Sequence, residues 1–145
     1  MGTIRISSED IRALNIFELL TGVTAKDCAI EEDAIGFLID ERNFGKAIGK
    51  NGSNVEKVRQ RFGKEIFLIQ YAEDPTKFIK NIFYPAEVRS VKISETSNGK
   101  TAIVDVPKRD YKKAIGDNGR KIKIGKILAS RNLGIDNIIV RSGIY

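Results

Sequence analysis

A nine-residue segment that occurs twice, 67 positions apart, is the feature of this sequence that most restricts its fold. Residues 44–52 read Phe-Gly-Lys-Ala-Ile-Gly-Lys-Asn-Gly, and residues 111–119 read Tyr-Lys-Lys-Ala-Ile-Gly-Asp-Asn-Gly. Seven of the nine positions are identical or exchange one aromatic residue for another. The same offset aligns the apolar run at 37–39 with the run at 104–106. Self-similarity of this kind indicates a duplicated structural unit.

The residues around the first segment predict six elements. Helix and strand periodicity, N-terminal caps and stop signals give their order. They are a helix that begins at Ser7 or Ser8 and is closed by Gly22, strands at 28–30 and 34–40, a short helix before Gly49, a helix over 53–62 that stops at Gly63, and a strand over 65–71.

The second copy repeats this order. It predicts a helix that starts at Asp74-Pro75 and ends at Pro85, strands at 88–95 and 101–106 joined across Ser97-Asn98-Gly99, a short helix before Gly116, a longer helix that ends at Gly134, and a strand at 138–141. Both copies therefore read α-β-β-α-α-β. The boundary falls near Glu73 with almost no linker, which predicts two domains, residues 1–72 and 73–145.

The composition argues against an enzyme or a metalloprotein. The chain has no histidine, which removes the usual acid–base group at neutral pH, and no P-loop. Its single cysteine, Cys28, cannot form an intramolecular disulfide or a zinc cluster and is expected to be a small buried apolar residue. We therefore predict a protein that is not an enzyme and needs no cofactor or metal.

Targeting signals are also missing from the sequence. The first eight residues lack the basic-then-apolar pattern of a signal peptide, and no apolar run reaches the roughly 20 residues that span a bilayer. These features predict a cytoplasmic protein without a membrane partner.

The repeated Gly-x-x-Gly has a chemical meaning when it joins two helices. Such a turn brings the unpaired N–H groups of the second helix to the surface, and its glycines let a phosphate approach the backbone. The two middle residues point outward; they are Lys50 and Asn51 in the first copy, and Asp117 and Asn118 in the second.

Positive charge is concentrated around both loops. Residues 42–64 hold seven basic side chains and one acid, although residues 1–72 as a whole hold 10 basic and 11 acidic side chains. Residues 107–131 hold nine basic side chains and two acids. Together with a net charge of +6, this clustering favours a polyanionic ligand at the loops.

Apolar residues next to the loops have two readings, as packing or as base contacts. We expect four of them to be core residues that hold the loops in place: Ile48, Val55, Ile115 and Ile122. Phe44 and Tyr111 precede the loops at matched positions, and we expect them to pack against the first helix of each copy rather than stack on a base.

The combination of Ile before the first glycine, a β-branched residue three after the last, and the α-β-β-α-α-β order resembles the KH domain in its type II form. The resemblance covers essentially the whole chain. It implies an α+β fold of two tandem type II KH domains, each with a three-stranded sheet covered by helices on one face. It also implies that each loop clamps nucleic acid of about four nucleotides.

The resemblance assigns RNA-binding residues position by position. They are Lys46, Ile48, Gly49, Lys50, Asn51, Gly52 and Ser53 in the first copy, and Lys113, Ile115, Gly116, Asp117, Asn118, Gly119, Arg120, Lys121 and Lys123 in the second. Because Asp117 places a negative charge where a phosphate is expected, we predict that the first loop makes the more typical phosphate contact, with Lys113, Arg120, Lys121 and Lys123 offsetting the acid.

Two adjacent KH domains with no real linker resemble the archaeal NusA-like transcription termination and antitermination factors. Bacterial members add a polymerase-binding domain and an OB-fold domain, for which this sequence has no counterpart. The resemblance implies a single-stranded RNA-binding protein in transcription elongation, termination or antitermination. It further implies one extended RNA strand across both domains, held together by their interface, and RNA polymerase or another transcription factor as a further partner. We expect a monomer.

Two other functions fit the same residues. One is a ribosomal or ribosome-assembly KH protein, which a duplicated pair without a further domain argues against. The other is a protein-interaction adaptor to RNA polymerase, for which Asp117 is an argument in the second copy. RNA and single-stranded DNA are not distinguished by these residues, and neither are termination and antitermination.

Overall fold

A computed structural model describes residues 7–143 of the chain. The chain divides into two compact units, and the division falls between Ala72 and Glu73. Each unit contains three helices and one three-stranded mixed sheet among its described residues. This is the predicted α+β fold, and the predicted order α-β-β-α-α-β is confirmed in both units. Within residues 7–143, no helix is both long and apolar enough to cross a membrane.

The first unit builds its sheet from two strands that are neighbours in sequence and a third that is distant. Its elements are α1 (Ser8–Thr21), β1 (Asp27–Ile30), β2 (Ala34–Ile39), α2 (Glu41–Ile48), α3 (Ser53–Phe62) and β3 (Glu65–Gln70). The central strand β2 pairs antiparallel with β1 and parallel with β3, which places Phe37 between Cys28 and Leu68. The parallel pair requires a crossover, and the chain makes it through α2 and α3.

Local signals at both ends fix the first helix. The Ser7 hydroxyl accepts a hydrogen bond from the N–H of Asp10 (3.0 Å), and the Asp10 carboxylate accepts one from the N–H of Ser7 (3.2 Å). This capping box satisfies two N–H groups that a helix start leaves unpaired. Gly22 ends the helix in the left-handed conformation, with φ 74°.

The core of the first unit lies between the sheet and the helices. The Phe17 ring of α1 stacks on the Phe37 ring of β2 with 4.3 Å between centroids, and Phe62 of α3 lies 6.0 Å from Phe37. Cys28 is fully buried in the same cluster, as predicted for a small apolar residue. Phe17 and Phe37 are fully buried, which contributes roughly 1.5–3 kcal/mol for each ring, and the half-buried Phe62 packs α3 against them.

The second unit repeats the arrangement. Its elements are α4 (Pro75–Phe83), β4 (Ser90–Thr96), β5 (Gly99–Val106), α5 (Tyr111–Ile115), α6 (Arg120–Leu133) and β6 (Asn137–Ser142). Strand β5 pairs antiparallel with β4 and parallel with β6. Alternate residues of β5 are buried (Ala102, Val104 and Val106), so the helices cover one face of this sheet.

The hairpin between β4 and β5 differs from the prediction in its turn. Gly99 lies inside β5 and pairs with Thr96, so Ser97 and Asn98 alone connect the strands. The hydroxyl of Thr96 accepts a hydrogen bond from the N–H of Asn98 (3.2 Å) and closes the turn. Relative to the predicted 88–95 and 101–106, the first strand therefore ends one residue later and the second begins two residues earlier.

Helix α6 approaches α4 closely at one glycine. A Cβ placed on Gly125 would lie 2.6 Å from Cγ2 of Ile82, and no side chain larger than hydrogen fits there without a shift. In the first unit, Gly45 of α2 has no atom within 4 Å of such a Cβ. The glycine in α6 is therefore required by packing, whereas the glycine in α2 is not.

Candidate nucleic-acid interface

The first glycine loop connects α2 to α3 through a single 3₁₀ turn, Lys50–Gly52. Gly49 has φ 81° and ψ 167°, a backbone region that is essentially restricted to glycine. A Cβ on Gly49 would also lie 2.7 Å from the backbone nitrogen of Asn54. Asn51 (φ 56°) and Gly52 (φ 75°) then follow in the left-handed region. The first glycine is thus required both by its dihedral angles and by the close approach of α3.

The second loop, between α5 and α6, has the same backbone. Gly116 has φ 82° and ψ 166°, Asn118 has φ 56°, and Gly119 has φ 72°. A Cβ on Gly116 would lie 2.8 Å from the backbone nitrogen of Lys121. The residue between the first glycine and the asparagine is Lys50 in one copy and Asp117 in the other. Because the backbone is the same in both copies, the glycines and the asparagine set the conformation of the loop, and this residue does not.

The helices that follow the loops start without a side-chain cap. Ser7, Asp40 and Asp74 cap α1, α2 and α4 with side-chain oxygens. In contrast, α3 and α6 begin after Gly52 and Gly119, and neither start has a side-chain hydrogen bond. The positive end of the helix dipole thus faces the loop with no side-chain oxygen capping it, an arrangement that favours an anionic ligand.

The predicted residues of the first loop lie together around this turn. Lys46, Lys50, Asn51 and Ser53 are exposed, whereas Ile48, Gly49 and Gly52 are half-buried. A Cβ on Gly22 would lie 3.6 Å from Nζ of Lys46, so this ammonium is next to the C-terminal end of α1. Nothing in this geometry removes a residue from the predicted set.

The predicted residues of the second loop separate into three groups by their exposure. Lys113, Asp117, Asn118 and Lys123 are exposed; Ile115, Gly116, Gly119 and Arg120 are half-buried; and Lys121 is buried. The ammonium of Lys113 is 3.9 Å from the carboxylate of Asp110. Asp117 is exposed, so its carboxylate lies at the surface where the prediction places a ligand.

The prediction that Lys121 contributes its charge to RNA requires correction. Only 7% of this residue is exposed, and its ammonium donates hydrogen bonds to the carbonyl oxygens of Tyr84 (2.6 Å) and Phe83 (3.2 Å). These bonds direct the charge into the domain, towards the end of α4. Lys121 therefore does not offset Asp117 at the surface.

The aliphatic residues next to the loops are less buried than predicted. Ile48, Ile115 and Ile122 are half-buried, and Val55 is half-buried against the core of the first unit. The fully buried positions beside the loops are instead Ala47 and Ala114. Val55 therefore packs against the core as predicted, whereas part of each of the three isoleucines remains accessible to a ligand.

The aromatic residues before the loops differ from each other. Phe44 packs against the core cluster to which α1 contributes, as predicted. Tyr111 is 38% exposed and lines a cavity of about 280 Å³ together with Lys112, Ile115, Gly116, Asp117 and Asn118. That Tyr111 packs against the first helix of its copy stays a prediction, and part of its side chain is accessible beside the second loop.

Sequence reasoning missed two residues that shape the site. The amide of Asn54 donates a hydrogen bond from Nδ2 to the carbonyl oxygen of Lys46 (2.8 Å), which joins both sides of the first loop. Lys112 lines the cavity beside the second loop. Their counterparts 67 positions away are Lys121 and Gly45, so the repeat preserves neither residue type.

The net charge of the side chains around the first loop remains positive when their ion pairs are taken into account. Glu56 pairs with Arg59 on the exposed face of α3 (2.6 Å), and this is the single acid among residues 42–64. The ammonium of Lys64 donates to the carbonyl oxygen of Glu31 (2.9 Å) at the other end of α3. Lys46 and Lys50 at the loop itself remain exposed.

Comparison with family models assigns each half of the chain. Residues 13–73 match the KH domain, and residues 75–142 match the NusA-like second KH domain. Among solved structures, the crystal structure of APE1850 has a TM-score of 0.79 and 30% identity, covering 94% of this chain and 100% of that one.

Comparison with curated proteins gives the family. The chain is 38% identical to the probable transcription termination protein NusA of Methanococcus vannielii, covering 97% of this chain and 82% of that protein. It is 34% identical to the protein of the same name from Halococcus morrhuae, covering 93% of this chain and 96% of that protein. The transcription termination/antitermination protein NusA of Thermus thermophilus is 33% identical over 64% of this chain and 23% of that protein. With the predicted resemblance confirmed, the chain belongs to the archaeal NusA-like family of tandem KH-domain proteins.

Proposed function

We propose that this protein is a single-stranded RNA-binding factor in transcription termination or antitermination, with one extended RNA strand contacting both KH domains. The observation that carries the proposal is the duplicated loop. Two loops with the same backbone each end on a helix that starts without a side-chain cap. The names of the archaeal relatives favour transcription over a ribosomal role.

The first loop is the main phosphate contact in this proposal. Lys50 and Asn51 are exposed at its tip, and the backbone of Gly49 and Gly52 presents no side chain to an approaching phosphate. A lysine ammonium and an amide N–H can each donate to phosphate oxygens, and the uncapped start of α3 adds a favourable dipole. Bases of the same strand would lie against the accessible edge of Ile48.

The second loop contributes base contacts more than phosphate contacts. The exposed carboxylate of Asp117 repels phosphate, and Lys121 is not available to balance it. The cavity beside Tyr111 offers an aromatic face on which a base can stack. The two domains therefore hold the same strand by unequal means.

Binding of a labelled single-stranded RNA, measured by fluorescence anisotropy at several salt concentrations, tests the proposal. The double variant Lys50→Asp/Asn51→Asp should weaken binding by at least about tenfold and reduce the slope of log K against log salt by about one. The control Lys92→Asp/Asn98→Asp makes the same charge change on the β4–β5 hairpin and should retain most of the affinity. Unchanged affinity in the loop variant would contradict the assignment.

An adaptor role for the second domain is the other candidate, and the exposed Asp117 favours it. An adaptor would bind RNA weakly and without salt dependence in the same titration. A protein partner such as RNA polymerase would then be retained by the second domain, and Asp117→Lys would weaken that interaction.

The transcriptional part of the proposal is tested in cells. Crosslinking followed by sequencing of the bound RNA should recover nascent transcripts, with signal concentrated near their 3′ ends. Recovery of ribosomal RNA alone would instead support the ribosome-associated alternative.

A further inference from the structure

The residue two positions after the last glycine of each Gly-x-x-Gly loop makes a different hydrogen bond in the two domains. In the first domain this residue is Asn54, whose amide donates to the carbonyl oxygen of Lys46 in the helix just before the loop. In the second domain it is Lys121, whose ammonium reaches Tyr84, 37 residues earlier in the chain. The first loop is thus tied to its own flanking helix, and the second is tied to α4.

The end of α4 is the kind of site that a lysine stabilises. Helices α1, α3 and α6 each end on a glycine in the left-handed conformation, whereas α4 ends at Tyr84 with φ −51° and ψ 137°. Without a glycine cap, the carbonyl groups at the end of α4 need other donors, and the N–H of Ala86 donates to that of Phe83. The ammonium of Lys121 donates to the carbonyl groups of both Phe83 and Tyr84, and it also places positive charge at the negative end of the helix dipole.

The same lysine touches the glycine loop through its backbone. A Cβ on Gly116 would lie 2.8 Å from both the nitrogen and the Cβ of Lys121, so the loop lies directly on this residue. Lys121 therefore contacts the loop with its main chain and α4 with its side chain. A shift of α4's last turn would be transmitted to Gly116 through one residue.

We propose that Lys121 is a positioning residue for the second glycine loop, which it holds in place by capping the C-terminal end of α4. The loop conformation and the last turn of α4 are then coupled. The link to ligand binding rests on the proposed RNA-binding function. Because coupling is reciprocal, RNA that orders the second loop also stabilises the end of α4.

Amide hydrogen exchange measured by NMR tests the cap. Tyr84 N–H donates to Lys80, and Ala86 N–H donates to Phe83, so both amides report on this turn. In Lys121→Met their exchange should accelerate about tenfold relative to the amides of β5, because the cap is lost while the domain stays folded. Lys126→Met removes the same charge from an exposed side chain of α6 and should exchange as the wild type does.

Salt-dependent RNA binding separates positioning from direct contact. Lys121→Met should bind single-stranded RNA about three- to tenfold more weakly with an unchanged slope of log K against log salt, because no phosphate contact is lost. A lysine that touched phosphate would lower the slope by about one. Added RNA should slow exchange at Tyr84 in the wild type and not in the variant.

Two results would overturn the proposal. The first is exchange at Tyr84 and Ala86 that accelerates in Lys121→Met no more than exchange at the amides of β5. The second is a slope of log K against log salt that falls by about one in the same variant. If Lys121→Met does not fold, Lys121→Gln, whose side chain is shorter and uncharged, should still accelerate exchange at Tyr84 and Ala86 more than at the amides of β5, and equal exchange rates would contradict the proposal. If the wild type bound no RNA, the proposed function would fall, and the exchange rates would still decide the role of Lys121.

Discussion

Asn51 and Asn118 lie 67 positions apart in sequence and have the same left-handed backbone, with φ 56° in both and ψ of 29° and 25°. They are the only non-glycine residues with positive φ in the described part of the chain. Most L-residues lose about 1–2 kcal/mol in this conformation, whereas asparagine tolerates it. The identity of these residues is therefore a requirement of the backbone as well as a feature of the surface.

Replacement of Asn51 should follow this backbone preference. Asn51→Ala should lower the free energy of unfolding by about 1 kcal/mol, and Asn51→Gly should change it by only a few tenths. Urea unfolding followed by circular dichroism measures both. If alanine and glycine had equal effects, the left-handed conformation would not be what selects asparagine.

A change of charge at the second loop should alter binding but not folding. Asp117→Lys replaces a repulsive carboxylate with an ammonium at an exposed position, so affinity for single-stranded RNA should rise severalfold, most strongly at low salt. Glu95→Lys on β4 makes the same charge change on an exposed strand and serves as control. A loss of affinity in Asp117→Lys would show that the carboxylate binds the ligand itself.

Two glycines in helices should respond to alanine in opposite directions. Gly125→Ala places a methyl group against Ile82 and should destabilise the second domain by about 1–3 kcal/mol. Gly45→Ala meets no neighbour and should stabilise the first domain by about 0.5–1 kcal/mol through helix propensity. Thermal unfolding of the two variants checks the pair. Destabilisation by both would mean that Gly45 has a constraint that packing does not reveal.

Acid should remove one stabilising interaction in the second sheet. Hydrogen bonds from Arg141 and Ser90 hold the pKa of Asp105 below its ordinary value of 3.8. Because the folded pKa is the lower one, the stabilisation is complete above the unfolded pKa and is lost as the pH falls through the folded one.

The stability difference between the wild type and Asp105→Asn should therefore be constant at neutral pH and shrink below about pH 4. Thermal unfolding between about pH 2.5 and pH 7 measures it. A difference that does not vary over this range would indicate that the carboxylate is not favoured in the folded state.

Local signals explain how much of the fold the sequence could predict. Ser7, Asp74, Gly22 and Gly63 act within one turn of their own position, so the helix ends they predict are the observed ones. The hairpin turn was harder to predict, because an Asn-Gly pair is compatible with more than one register and the glycine enters β5 instead of the turn.

The role of Lys121 could not be predicted from local signals. Its partners at the end of α4 are more distant in sequence than any helix or turn pattern reaches. A lysine beside a glycine loop is read as a surface charge unless the fold is known. The same holds for Tyr111, whose partial exposure is set by the tertiary packing around it.

The shared backbone of the two loops has a consequence for how such a protein can change. Lys50 and Asp117 occupy the same place in the same conformation, and neither is needed to form it. Residues that shape the turn are thus distinct from the residue that meets the ligand. Mutation at the tip can reverse the charge offered to a partner while the stability of the domain is left nearly unchanged, so the two copies are free to diverge in preference.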